Sequence, residues 1–234
     1  MDWQIIESGK ASAQTHMDID SRYLQTISDT LQPILRFYEW AHPSATYGYF
    51  IKPANFLDLE GVNHVGLDLG RRPTGGGIVF HLTDVAFSVI IPATHPAYSL
   101  NTLENYAFVN RHVVQALKKL HQNIQPTLLD QETRISDSMS QHFCMAKPTI
   151  YDVMLEGKKV GGAAQRRTRD GFLHQGTISL AMPDEKLLSR VLKSSASLMD
   201  AMKNYTYVWS EQEADLRAVR SRLRELLCQE FSQS

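Results

Sequence analysis

Lys159 and Asp152 are the first residues in this chain whose types and spacing could do chemistry. Asp152 sits in the apolar run Ile150 to Leu155. Glu156 to Lys158 reads as a turn, and a second run starts at Val160. Pairing two such strands predicts Asp152 and Lys159 at the same end of a sheet, within side-chain reach. A lysine ammonium there suits a carboxylate or a bridging phosphate oxygen. The aspartate could hold Mg2+, which binds through one or two carboxylates plus substrate phosphates. Gly161, Gly162, Ala163 and Ala164 strip the outgoing strand of bulk, as happens where a ligand lies against the backbone. The plainer alternative is an exposed Gly-Lys-Lys turn before a small-residue strand packed under a helix, and the hairpin alone does not decide.

A second group runs Arg71-Arg72-Pro73-Thr74-Gly75-Gly76-Gly77 and reaches His81. Consecutive glycines imply positive φ angles or close backbone approach to a ligand, and turn N–H groups form an anion-binding concavity. Arg71 and Arg72 could add guanidinium forks. The alternative is a tight hairpin with solvated arginines. The run matches neither Gly-x-x-x-x-Gly-Lys-Ser/Thr nor Gly-x-Gly-x-x-Gly, which disfavours dinucleotide binding on a doubly wound sheet. His42, His64, His95, His112 and His121 lack metal-ligand spacing.

The elements that must position these groups follow from periodicity. Trp3 to Glu7, Ile34 to Trp40 and Thr46 to Ile51 read as strands, and Val85 to Ile91 is the strongest buried strand. Ile150 to Leu155, Val160 to Arg166 and Phe172 to Ala181 add three more. Helices are expected over Ala11 to Thr30, Thr102 to Leu120, Pro183 to Leu192 and about Glu211 to Phe231, with Asp20 or Ser21 capping the second half of the first. Strands and helices interleave without strict βαβ alternation. The expectation is an α+β fold, a mixed sheet with packed helices, in one catalytic domain over residues 1–234 with no accessory C-terminal domain.

Composition sets outer bounds. Of 234 residues, 43% are hydrophobic and 21% charged, enough for a core without disulfides or metals. A net charge of −1 gives no support to general nucleic-acid or anionic-membrane binding. Cys144 and Cys228 are two lone thiols, which suggests a reducing compartment. The polar N-terminus does not read as a signal peptide, and no apolar run approaches the roughly 20 residues of a membrane span. The expected location is cytoplasmic. Arg217, Arg220, Arg222 and Arg224 are read as a solvated helix face.

Together the two motifs resemble those of the lipoate–protein ligase A family, within the biotin/lipoate ligase and octanoyltransferase superfamily. Arg71 to His81 matches its Arg-Arg-x-Ser/Thr-Gly-Gly-Gly-x-Val-x-His signature. Asp152 to Arg167 matches Asp-(Ile/Val)…Gly-x-Lys-(Ile/Val)-x-Gly-x-Ala-Gln-Arg-Arg, and His174-Gln175-Gly176-Thr177-Ile178 is similar to its His-Gly-Ser strand. The resemblance implies the biotin/lipoate-ligase catalytic fold with a largely antiparallel sheet. It also implies a reaction in which lipoate and ATP, with Mg2+, give lipoyl-adenylate, which acylates a lysine. The acceptors would be lipoyl domains of 2-oxoacid dehydrogenase acyltransferase subunits and the glycine-cleavage H protein, with a helper subunit as a further possible partner.

By that resemblance, Lys159 neutralises the reacting carboxylate and α-phosphate, and Asp152 assists through Mg2+. Arg72, Thr74, Gly75, Gly76, Gly77, His81, Gly161, Gly162 and Ala163 bind the adenylate and acyl chain. Departures exist: Leu82-Thr83-Asp84-Val85 replaces Asp-x-Gly-Asn, and Tyr151-Asp152 replaces Asn-Asp. The segment His142-Phe143-Cys144-Met145-Ala146-Lys147-Pro148 resembles the one carrying the nucleophilic cysteine in a branch of octanoyltransferases and amidotransferases, where a thioester replaces the adenylate and acyl-carrier protein or a lipoyl domain is the donor. That branch tends to carry arginine where this chain has Gly77. ATP-dependent lipoate ligation is the main reading and ATP-independent octanoyl or lipoyl transfer through Cys144 the alternative. Biotin–protein ligation is weaker, and a non-catalytic acyl-binding module is the fourth.

Overall fold

The run Val85-Ala86-Phe87-Ser88-Val89-Ile90-Ile91 lies at the centre of the fold as strand β6 (Asp84–Pro92). Strand side chains alternate between two faces, and here both faces are covered, so the sequence reads as nearly unbroken hydrophobicity. Val85, Phe87, Val89 and Ile91 pack against two helices, α3 (Thr102–Leu120) and α6 (Glu213–Ser232). Ala86 and Ile90 face the opposite helix, α1 (Ala13–Thr30), through Met17, Leu24 and Ile27. Each such large side chain taken fully out of water contributes about 1.5–3 kcal/mol. This computed structural model describes residues 2–131, 142–146, 148–194, 196–209 and 213–233.

On one side of β6 lie β2 (Ile34–Trp40) and β1 (Gln4–Ala11). On the other lie β10 (Gly171–Ser179), β9 (Lys158–Arg167), β8 (Val153–Leu155) and β7 (Thr127–Leu128), giving a seven-stranded sheet. Every pairing in it is antiparallel except β1 with β2. A second, three-stranded sheet places β3 (Ser44–Tyr47) between β4 (Asp68–Arg71) and β5 (Ile78–His81). It shares a core with α2 (Leu59–Val65), α4 (Glu185–Val191) and α5 (Ala196–Tyr205), in which Ile78, Phe80 and Phe143 meet Val62, Leu188 and Met202. The α+β class and the mixed, largely antiparallel sheet are as expected. Among the described residues no helix is long and apolar enough to cross a membrane.

Several local expectations change. The first helix is capped by Ser12, whose hydroxyl accepts from the Thr15 N–H, and runs uninterrupted past Asp20 and Ser21. Asp20 is no cap. It is fully buried, pairing with Arg36 at 2.7 Å and accepting from Ser88 and Gln175. β8 spans only Val153–Leu155, so Asp152 precedes the strand and does not lie on it. β3 spans Ser44–Tyr47, so the strand expected over Thr46 to Ile51 begins earlier and ends before Gly48. α2 and α5 were not foreseen, because each is short and its apolar residues show helical spacing over too few turns to stand out. Glu211, the expected start of the last helix, and Lys147 lie outside the described residues.

His174 sits on β10 between β6 and β9 with no exposed surface. Its Nδ1 meets the Gln165 side-chain amide at 2.8 Å, and its Nε2 has no partner among the described residues. Burial, which opposes the imidazolium, lowers its pKa to about 3. An unfolded histidine takes up its proton near pH 6.5, so between that value and 3 the unfolded chain binds more protons. Stability therefore falls as pH falls through this window. Between pH 7 and pH 5 the wild type should lose about 2 kcal/mol more stability than His174→Gln. Urea midpoints at the two pH values check this, and equal losses would exclude a neutral buried imidazole.

Candidate active site

Cys144 is tied down by all three of its polar groups. Its N–H donates to the Ile78 carbonyl at 3.0 Å, its carbonyl accepts from Lys159 Nζ at 2.7 Å, and its Sγ accepts from the Gly77 N–H at 3.2 Å. The segment is seated there by Phe143, which bridges Ile78 of β5 and stacks on Phe80. A buried aromatic thus fixes the register that places the next residue's sulfur.

Lys159 is the second residue of β9 and is nearly inaccessible. Its ammonium meets Asp152 Oδ2 at 2.6 Å. The carboxylate also accepts from the Tyr106 hydroxyl at 2.8 Å and from the Thr149 N–H and hydroxyl at 2.7 and 2.9 Å. Tyr106 in turn accepts the Ala163 N–H, joining α3 to the centre of β9. Removing both charges from water costs several kcal/mol per ion, and only such a complete set of bonds offsets it. Gly162 makes room for the lysine: a Cβ there would run into Lys159 Cε and Nζ. Asp152 was expected as a tentative Mg2+ ligand. Its oxygens face Lys159, Tyr106 and Thr149, a donor set that suits a counter-ion and does not fit a metal ligand.

The three loop glycines are needed for different reasons. Only Gly76 has positive φ, at +85°, and a Cβ there would come within 3.5 Å of the Cys144 sulfur. A Cβ on Gly77 would strike the His142 carbonyl, so the bare third glycine is a packing requirement of the Cys144 segment. Gly75 has open space around it.

Arg72 is buried beneath the loop, donating to Thr46 Oγ1 at 2.9 Å and to the Gly75 and Gly77 carbonyls at 3.1 and 2.7 Å. Burial lowers its pKa, and the neighbouring Cys144 and Tyr38 oppose that shift. Both His81 nitrogens are engaged, Nε2 with Thr46 at 2.8 Å and Nδ1 with Asp84 at 2.6 Å. Burial pushes the Asp84 carboxyl up, but His81 and the Thr177 hydroxyl hold it below its ordinary range. Thr74 donates to Gln175, whose amide continues to Asp20.

These groups surround a small cavity of about 30 Å³. Met17, Tyr38, Val79, Ala163 and Ala164 give it an apolar lining, while Arg72, Thr46, His81 and Cys144 supply polar atoms. The apolar lining with a few convergent polar atoms matches the chemistry of an acyl group whose carbonyl carbon lies near the sulfur.

The structure brings together Arg72, Thr74, Gly76, Gly77, His81, Cys144, Lys159, Gly162 and Ala163. Gly161 packs against Val153 and the Thr177 carbonyl, away from the lining. Arg71 turns outward onto Tyr49. The sequence did not single out Tyr106, Thr46 or Gln175. A tyrosine within the apolar stripe of α3 was the one available signal, since a buried phenol needs a partner.

The family model for the lipoyl protein ligase A/B catalytic domain matches residues 12–232. An octanoyltransferase LipM from Lysinibacillus sphaericus is 33% identical over 204 residues, covering 86% of this chain and 74% of that protein. One from Macrococcus caseolyticus is 31% identical over 219 residues, covering 92% and 79%. Among solved structures, a bipartite lipoate protein ligase from Thermoplasma acidophilum, studied with its E2 lipoyl domain, superposes with a TM-score of 0.69. At 23% identity over 99% of this chain and 84% of that one, it bears on the fold alone.

Asp152→Ala leaves the Lys159 charge buried without its carboxylate and should cost about 3–5 kcal/mol in a urea titration. The double substitution Asp152→Leu with Lys159→Met should be clearly more stable than Asp152→Ala. If all three proteins unfold at one midpoint, the buried ion pair does not organise this site.

Proposed function

We infer the reaction from one premise: the chain belongs to the lipoyl protein ligase A/B catalytic-domain family, enzymes of the lipoyl ligase and octanoyltransferase kind. Within it we propose ATP-independent transfer of an octanoyl or lipoyl group through Cys144. The observation that carries this reading is the sulfur itself, half-buried in an apolar pocket, facing an N–H donor and beside a buried guanidinium. The names of the curated relatives point the same way. The sequence argument for the ligase, an intact Gly77, loses its force because that position has no room for a side chain.

The chemistry balances without a nucleotide. Cys144 sulfur attacks the carbonyl carbon of an acyl thioester on a carrier protein, a new C–S bond forms, and the donor's C–S bond breaks. The departing thiolate takes the proton that Cys144 gives up. A neutral lysine amine of the acceptor then attacks the Cys144 thioester, the amide C–N bond forms, and Cys144 leaves with the amine's proton. Once acylated, the sulfur is a poor acceptor, and the Gly77 N–H can turn to the acyl oxygen where charge develops. Lys159 holds the cysteine backbone, Gly76 lets the loop close over the sulfur, and the buried Arg72 guanidinium lies beside it. The acceptors are lipoyl domains, including the H protein.

Incubation with octanoyl-acyl carrier protein should place one octanoyl group on Cys144, seen by intact mass, and Cys144→Ser should lose it. Adding apo H protein or an apo acyltransferase lipoyl domain should discharge the adduct onto an acceptor lysine. ATP-dependent lipoate ligation remains the second reading, supported by Lys159 standing next to the glycine loop through Cys144. Pyrophosphate release from lipoate and ATP, undiminished in Cys144→Ser, would replace the first reading with the second.

A further inference from the structure

The transfer above needs a protein acceptor to bring its lysine to a sulfur lying beneath the glycine loop, so the rim of that loop is the place to look for a docking surface. The turn that follows β3 forms this rim. Its Gly48 N–H donates to the Gly77 carbonyl at 3.2 Å and its Tyr49 N–H to the Thr74 carbonyl at 2.9 Å. Gly48 must be bare, since a Cβ would strike the Gly76 carbonyl, and the next residue, Gly77, donates its N–H to the Cys144 sulfur. The turn is therefore one backbone layer from the reacting atom.

What the turn holds outward is unusual. Phe50 is 87% exposed, the largest exposure among the described large hydrophobic residues, and its ring packs edge-on to Tyr49 at 5.2 Å. Tyr49 is fixed in turn: the Arg71 guanidinium lies over its ring at 4.1 Å and donates to its carbonyl. A scattered exposed phenylalanine is ordinary, but this one is carried on a turn braced by hydrogen bonds and a cation–π contact. A braced Tyr49 loses little freedom when covered and holds the bare Phe50 ring beside it, which is what an interfacial anchor requires.

The electrostatics select the partner. Among the described residues, the shallow cleft around Phe50 is lined by Lys52 and Arg71 and by no carboxylate. Among the described residues neither cation makes an ion pair, although the chain as a whole carries a net charge of −1. A local positive rim on a near-neutral protein favours an acidic face. We propose that the Tyr49–Phe50 turn, with Lys52 and Arg71, is the docking surface for the acidic face of the acceptor lipoyl domain. The assignment rests on the acyl-transfer reading, which makes such a domain a substrate.

Two measurements separate this surface from the chemistry. In the first, binding of an apo lipoyl domain to Cys144→Ser protein is titrated by fluorescence anisotropy, which needs no acyl transfer. Phe50→Glu should weaken it by about tenfold, the scale of one aromatic anchor. Lys52→Glu should weaken it too, and added salt should weaken wild-type binding. In the second, Cys144 is loaded from octanoyl-N-acetylcysteamine, too small to need the surface, and discharged to the same domain. Phe50→Glu should load at the wild-type rate within about twofold and discharge about tenfold more slowly at limiting acceptor. Phe50→Ser, neutral and exposed, checks that the loss does not come from misfolding. Unchanged binding and discharge in both Phe50 variants overturns the proposal. So does slower loading from octanoyl-acyl carrier protein with normal discharge, which would give the surface to the donor. A wild type that binds the domain through Phe50 but never acylates Cys144 would leave the docking surface standing and remove the transfer reading.

Discussion

A lysine ammonium almost out of reach of water holds this molecule's chemistry in place. Lys159 can be buried because Asp152 neutralises it, and Asp152 can be buried because Tyr106 and Thr149 fill its remaining lone pairs. The ammonium also grips the Cys144 carbonyl. Desolvation makes each of these bonds stronger than it would be at the surface and makes the loss of any one costly. The sulfur inherits its position from that chain of obligations. An exposed lysine in the same place would be free to leave.

The site lies where the two sheets meet, and each contributes what the other cannot. The seven-stranded sheet brings Lys159, the stripped strand through Gly162 and Ala163, and the buried Gln175. The small sheet brings Arg72, Thr46 and His81, with the glycine loop between β4 and β5. Two polar relays cross between them. One runs from Arg72 through Thr46 and His81 to Asp84 and Thr177, and the other from Thr74 through Gln175 to Asp20 and Arg36. Buried polar groups that satisfy one another rigidify what they connect. For the thioester exchange proposed above, where the substrate would arrive already activated, fixed geometry is the main service a protein can give.

Bare glycine means something different at each position here. Gly76 adopts a left-handed conformation, Gly77 makes room for the Cys144 segment, Gly48 admits the loop itself, and Gly162 lets the lysine side chain lie along its strand. A reading that assigns the whole run to phosphate binding treats them as one device. Their separate contacts fit the loop closing over a sulfur.

The α+β architecture, the long helix Thr102–Leu120 and the central strand were legible because hydrophobic periodicity over many residues depends only on local geometry. The pairing of Asp152 with Lys159 was legible too, since a hairpin brings near neighbours together. Other parts of the site were not: Tyr106, Thr46 and Gln175 reach it across 46, 35 and 101 residues of chain. No local pattern encodes such a meeting. The sequence by itself determined which residues carried reactive groups and which strands would hold them. Only tertiary structure decided that Asp152 serves a lysine, that Gly77 is bare for packing, and that Cys144 faces the pocket, because each depends on what distant segments place within bonding distance.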